Sequence, residues 1–111
     1  MTATTTSVVF PLARLQPNRG AAVLLPGEIQ VAVFRTHDDQ VFALSNIDPF
    51  ARAAVMSRGI VGDRGGVPVA VSPMHKNAFD LRTGVCVDDP DVSLEVYPVR
   101  VDAGMVMVGA P

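Results

Sequence analysis

The sequence predicts an all-β fold, and three observations carry that expectation. Short apolar runs recur with turn signals between them, spaced roughly every 8–12 residues as in sandwiches and barrels. Ile29–Arg35, Ile-Gln-Val-Ala-Val-Phe-Arg, alternates with a period of two, placing Ile29, Val31 and Val33 on one face and Ala32 and Phe34 on the other. The stretch with the most helical character, Ala-Arg-Ala-Ala-Val-Met-Ser-Arg-Gly after Phe50, supports about two turns at most.

The elements follow in order. Residues 1–6 are Thr-rich and read as a disordered tail, leaving 7–111 as one domain. Ser7–Phe10 is a first strand whose pairing Pro11 ends. The segment from Leu12 to Gly20 holds Pro17 and Gly20 and reads as a loop, and Ala21–Leu25 is a short apolar run. Ile29–Arg35 and Val41–Leu44 form a hairpin around a polar tip, Thr-His-Asp-Asp-Gln, where His37 is a solvated turn residue. Alternation is lost from Ser45 to Gly66. Asn46, Asp48 and Pro49 mark a turn, and Gly62–Gly66 reads as a flexible linker. Val67–Val71 returns to strand. Phe79–Val87 is a tight hairpin about Thr83-Gly84, with Phe79, Leu81, Val85 and Val87 on its arms. Leu94–Val101 and Met105–Val108 form a last hairpin.

Composition narrows the function. The chain has 111 residues, 49% hydrophobic and 18% charged, which is globular rather than disordered. Nine Lys and Arg against eleven Asp and Glu give a net charge of −2, with the basic residues scattered, which argues against nucleic acid and anionic membranes as partners. One cysteine, Cys86, makes no internal disulfide and fits a reducing compartment. With no secretory signal and no apolar run near 18 residues, the expected location is cytoplasmic.

The interruption between residues 45 and 84 is where function is sought, because loops on a rigid scaffold usually carry it. Its stretches are Asn46-Ile47-Asp48-Pro49-Phe50, Ser72-Pro73-Met74-His75, and Phe79-Asp80-Leu81-Arg82-Thr83-Gly84. The last two together resemble the second box of a Rieske iron–sulfur domain, Cys-Pro-Leu-His followed by Phe-Asp-x-x-Thr-Gly. The first sits where that family has Cys-x-His. The resemblance implies a Rieske-like antiparallel β-sandwich with a small two-loop subdomain. A Rieske centre needs two thiolates and two imidazoles. The matching positions here are Asn46, Asp48, Ser72 and His75. Both sulfurs are missing and one imidazole is replaced by a carboxylate, so no [2Fe–2S] cluster is expected.

Within that superfamily, Ala-Leu-Ser-Asn-Ile-Asp-Pro-Phe, Val-Met-Ser-Arg-Gly-Ile-Val-Gly-Asp and Val-Tyr-Pro-Val-Arg-Val resemble the small subunits of NAD(P)H-dependent assimilatory nitrite reductases. That resemblance implies an accessory chain without a catalytic centre. It would act with a large subunit that carries FAD, an iron–sulfur cluster and sirohaem and reduces nitrite to ammonium. Two alternatives stand beside it: a Rieske-type ferredoxin of a dioxygenase system, and a stand-alone β-sandwich interaction module.

Loss of the cluster removes the bonds that tied the loops together. Asn46, Asp48 and Ser72 are expected to bond loop backbone instead, with His75 donating to Asp48. A structural His75 is favoured over a catalytic base, for want of a nucleophile beside it, and over a metal site, for want of ligands. Pro49, Phe50, Arg58, Met74 and Lys76 are candidate partner contacts. For Phe50 and Met74 the competing expectation is a satellite core beneath the loops. Arg52 is expected to be a solvated charge.

Overall fold

The computed structural model describes residues 8–74 and 76–109. The expected tail, Ser7, His75 and the last two residues lie outside them. Twelve strands run in the order β1 (Val8–Pro11), β2 (Arg19–Leu25), β3 (Ile29–Arg35), β4 (Val41–Ser45), β5 (Ile47–Asp48), β6 (Ala53–Ala54), β7 (Ile60–Arg64), β8 (Val67–Val71), β9 (Ala78–Asp80), β10 (Val96–Tyr97), β11 (Val99–Asp102) and β12 (Met105–Val108). Among the described residues the helical elements are two three-residue 3-10 turns, Leu12–Arg14 and Met56–Arg58. The antiparallel all-β fold predicted from the sequence is the one observed.

The strands among the described residues form four sheets, in strand orders β1-β12-β11, β10-β4-β3-β2, β5-β6 and β7-β8-β9. Strand β3 is the keystone. Val31 and Val33 point into one core with Leu15, Leu25, Ala43, Tyr97, Val106 and Val108, against the β1-β12-β11 sheet. Ala32 and Phe34 point the other way, into a second core with Leu44, Met56, Ala70, Phe79, Leu81 and Cys86, against the β7-β8-β9 sheet. All four of these β3 side chains are fully buried. The sequence places both apolar faces on one strand because both faces are covered. Val31, Val33 and Phe34 each contribute about 1.5–3 kcal/mol relative to an exposed side chain, and Ala32 less.

Several local expectations are corrected. Pro11 belongs to β1 and lies opposite Met105; β1 is an edge strand, so its missing N–H costs no ladder bond. The apolar run at Ala21 extends back to Arg19, paired residue by residue with β3. The turn after Ser45 contains a two-residue ladder, Ile47 opposite Ala54 and Asp48 opposite Ala53. The expected helical stretch is only a single 3-10 turn. The glycine-rich segment at 62–66 is an ordered hairpin. Arg64 lies opposite Val67, and Gly65 and Gly66, with φ of 60° and 90°, form a two-residue turn of the primed kind that suits strand twist. The expected strand Leu94–Val101 is split. Val96 and Tyr97 pair with β4, Pro98 ends that ladder, and Val99–Asp102 pair with β12 in a different sheet.

Candidate functional site

The two loops that carry the resemblance come together through their side chains. Asn46, Asp48 and Ser72 are all buried, at 2%, 0% and 0% exposure. A buried polar group without a partner costs about 1–3 kcal/mol, so each must be satisfied. Asp48 sits at the end of β5. Its Oδ1 accepts from the backbone N–H groups of Phe50 (2.8 Å) and Ala51 (3.3 Å), and its carbonyl accepts from Arg52 N–H (2.7 Å). Its Oδ2 accepts the hydroxyl proton of Ser72, which lies in the other loop. Ser72 Oγ in turn accepts from Met74 N–H at 3.2 Å, and Ser72 carbonyl accepts from Lys76 N–H at 3.1 Å.

Asn46 closes the third side. Its Oδ1 accepts from Ser57 N–H at 2.7 Å, at the 3-10 turn, and its Nδ2 reaches Gln30 Oε1 at 3.4 Å. Its backbone N–H bonds Gln30 carbonyl and its carbonyl accepts from Met56. Asn46 therefore joins the first loop to β3 and to the segment leading into β7.

The third stretch is braced internally. Asp80 accepts from Arg82 N–H at 2.8 Å and from the Arg82 guanidinium at 3.1 Å. That guanidinium, above all, holds the Asp80 carboxyl below the usual carboxylate range. Asp88 is held low as well, chiefly by the Ala78 N–H it accepts from. Gly84 has φ of 81°, and a Cβ there would collide with the Leu94 carbonyl, so glycine is required. Cys86 is fully buried in the core and belongs to neither loop.

Asn46, Asp48 and Ser72 all bond loop backbone as expected, each by accepting from a main-chain N–H. The bond expected from His75 to Asp48 lies outside the described residues. Among them the group that reaches Asp48 from the second loop is Ser72, and Gln30 and Ser57 are further participants that the sequence reading missed. A polar Gln30 interrupting an apolar strand was the available signal. Of the candidate contacts, Pro49 is half-buried, while Arg58, Met74 and Lys76 are exposed. Phe50 does both things expected of it. It packs on Phe79 with ring centroids 6.3 Å apart, yet stays 38% exposed; Met74 is 54% exposed. Arg52 is exposed.

Chemically, these positions present an amide, a carboxylate and a hydroxyl whose oxygens already accept hydrogen bonds. They offer no thiolate, and clustered iron requires soft, charged sulfur. The described donor set therefore does not fit a [2Fe–2S] cluster. Among the described residues, no three His, Cys, Asp or Glu side chains gather as a metal site.

The layered antiparallel sheets and the paired loops define a Rieske-type domain. A family model for the Rieske-like [2Fe-2S] domain matches residues 6–109, and the chain belongs to that family. Within it, the chain is 45% identical over 93 residues to the nitrite reductase (NADH) small subunit of Salmonella typhimurium, covering 83% of this chain and 85% of that one. A solved structure from Mycobacterium tuberculosis, described as an NADH-dependent nitrite reductase small subunit, superposes with a TM-score of 0.92 at 48% identity, covering 98% of each chain. The chain is also 45% identical over 83 residues to part of the nitrite reductase [NAD(P)H] large subunit of Klebsiella oxytoca, covering 75% of this chain and 9% of that protein.

Proposed function

We propose that this chain is the small accessory subunit of an NAD(P)H-dependent nitrite reductase, working in the cytoplasm with a cofactor-bearing large subunit. The observation that carries the reading is the Asp48–Ser72 hydrogen bond, with Asn46 beside it, at the positions that match cluster ligands. These side chains tie the two loops and the 3-10 turn together by hydrogen bonds of their own. The occurrence of a matching stretch inside a protein named as a large subunit supports direct contact between the two. Among the described residues no helix is long and apolar enough to cross a membrane.

In this reading the loop tip is the docking face. Phe50 and Met74 supply exposed apolar surface, and Arg52, Arg58 and Lys76 lie exposed on the same loops and the 3-10 turn that Asn46 ties to them. An apolar centre with a charged rim is the usual anatomy of a protein contact. Redox chemistry, with FAD, an iron–sulfur cluster and sirohaem, belongs to the large subunit. The ferredoxin alternative requires two thiolates; the chain has one cysteine, and it is buried elsewhere.

The test is reconstitution. The purified chain is expected to be colourless and free of stoichiometric iron and acid-labile sulfide, to co-purify with the large subunit, and to be needed for nitrite-dependent NADH or NADPH oxidation. A red-brown protein with a reversible one-electron signal would overturn the reading, as would full activity of the large subunit alone.

A further inference from the structure

A second surface lies at the other end of the β7-β8-β9 sheet. Strand β8 leads from the Gly65-Gly66 turn to the Ser72 loop, and its five residues separate the two ends by about 17 Å at ~3.4 Å per residue. Strand β7 is an edge of this sheet. Beside it runs a groove of about 500 Å³, within the ~300–1,000 Å³ range of binding clefts. Its lining includes Asn18, Thr36, His37 and Asp38, together with Val61 and Asp63 of β7 and Pro68 of β8.

The register decides which backbone groups face that groove. Leu81 N–H donates to Pro68 carbonyl, so Pro68 turns its backbone toward β9, and Val67 and Val69 turn theirs toward β7. In an antiparallel ladder the bonded partners alternate. Arg64 and Gly62 therefore bond β8, while Val61 and Asp63 present N–H and C=O outward. No hydrogen bond among the described residues engages those outward groups. Val61 and Asp63 both line the groove, so an extended chain lying in it would meet these outward groups. Two outward residues at i and i+2 are the complement of one face of an extended strand.

Charge indicates what kind of strand. Among the described residues Arg35 pairs with Asp39 and Arg64 with Asp88, and no cation pairs with Asp38 or Asp63. Both carboxylates line the groove. A second copy of the chain would bring its own Arg64, already held by Asp88, and so supplies the missing charge poorly.

We propose that the outer edge of β7 binds an extended segment of a partner protein carrying Lys or Arg, paired through the backbone of Val61 and Asp63 with its cation between Asp38 and Asp63. This surface is separate from the loop tip, and its failure would leave the nitrite reductase reading untouched.

The probe is a capped hexapeptide of alternating valine and threonine with one central arginine, titrated to millimolar concentration into the full chain and followed by NMR and amide exchange. Val61 and Asp63 amides should exchange at least ten-fold more slowly at saturation. A peptide with glutamate in place of arginine should bind at least ten-fold more weakly. Asp63→Pro removes an outward N–H without touching the β7–β8 ladder, so it should abolish binding while Val67 and Val69 amides stay protected. Asp38→Asn, which leaves every backbone bond in place, should reduce the preference for arginine over glutamate. Unchanged Val61 and Asp63 exchange at millimolar peptide would overturn the proposal. So would equal affinity for folded Asp63→Pro, or protection of these amides that appears with protein concentration alone, the mark of β7 pairing with a second copy.

Discussion

Ser72 gives its hydroxyl proton to Asp48 across the space between two loops 24 residues apart in the chain, and both residues are fully buried. The bond joins the end of β5 to the loop that follows β8. Each partner depends on the other: without Ser72, one carboxylate oxygen of Asp48 is left in the interior without its donor.

Ser72→Ala should therefore destabilise the protein by about 1–3 kcal/mol. For a domain this size that lowers the melting temperature by roughly 4 °C per kcal/mol. Asp48→Ala should cost more, because Phe50 and Ala51 N–H lose their acceptor as well. The decisive measurement is the double-mutant cycle. A coupling of about 0.5–3 kcal/mol is expected; strictly additive losses would show that the two side chains do not interact.

Gly84→Ala should be among the most damaging small changes. The residue sits at positive φ, worth roughly 1–2 kcal/mol to an L side chain, and the added methyl meets the Leu94 backbone carbonyl. A loss of at least ~2 kcal/mol in denaturant titration is expected. Gly62→Ala, on the open face of β7 with nothing near its Cβ position, should stay within ~0.5 kcal/mol. Equal effects would contradict the local geometry.

The pH dependence has a definite sign at Asp80. Its folded carboxyl titrates below the unfolded value of ~3.9 because of the Arg82 guanidinium. The stabilisation is thus complete above the unfolded value and disappears as pH falls through the folded one. Carboxyl-carbon NMR titration should find Asp80 below the ordinary aspartate range, and Arg82→Gln should move it upward. Arg82 is half exposed, so added salt should shrink the difference.

Met74→Glu addresses the loop tip. Met74 is mostly exposed, so the melting temperature should hardly change. If the proposed docking face is right, association with the large subunit should weaken ten-fold or more, because a carboxylate in its apolar centre must be desolvated. Unaltered assembly would move the docking face elsewhere on the molecule.

Much of this was readable from residue order. The period-two run at Ile29–Arg35 announced a strand, and its apolar residues on both faces match its place between two cores. The Phe-Asp-x-x-Thr-Gly stretch located its turn because Gly84 needs a backbone conformation few residues adopt. The hairpin at Gly65-Gly66 carried a legible signal too, a glycine pair between two apolar runs, but the polar Asp63 and Arg64 beside it suggest a linker until β8 is seen to pair with them. Less accessible was the buried network. Gln30 lies 16 residues from Asn46, and Ser57 lies 11 residues away; their meeting depends on the packing of three segments, which local pattern does not encode. The splitting of residues 94–101 belongs to the same category, since which neighbour a strand chooses is a tertiary decision.

That split has a mechanical consequence. The chain is stitched to β4 by Val96 and Tyr97 and, one proline later, to β12 by Val99–Asp102, while Gly109 N–H ties the far end back to the Pro98 carbonyl. A tug on the carboxyl-terminal strand is thereby passed straight into the central sheet. Neither half can peel away by itself, so rupture should come as a single abrupt event rather than as stepwise fraying.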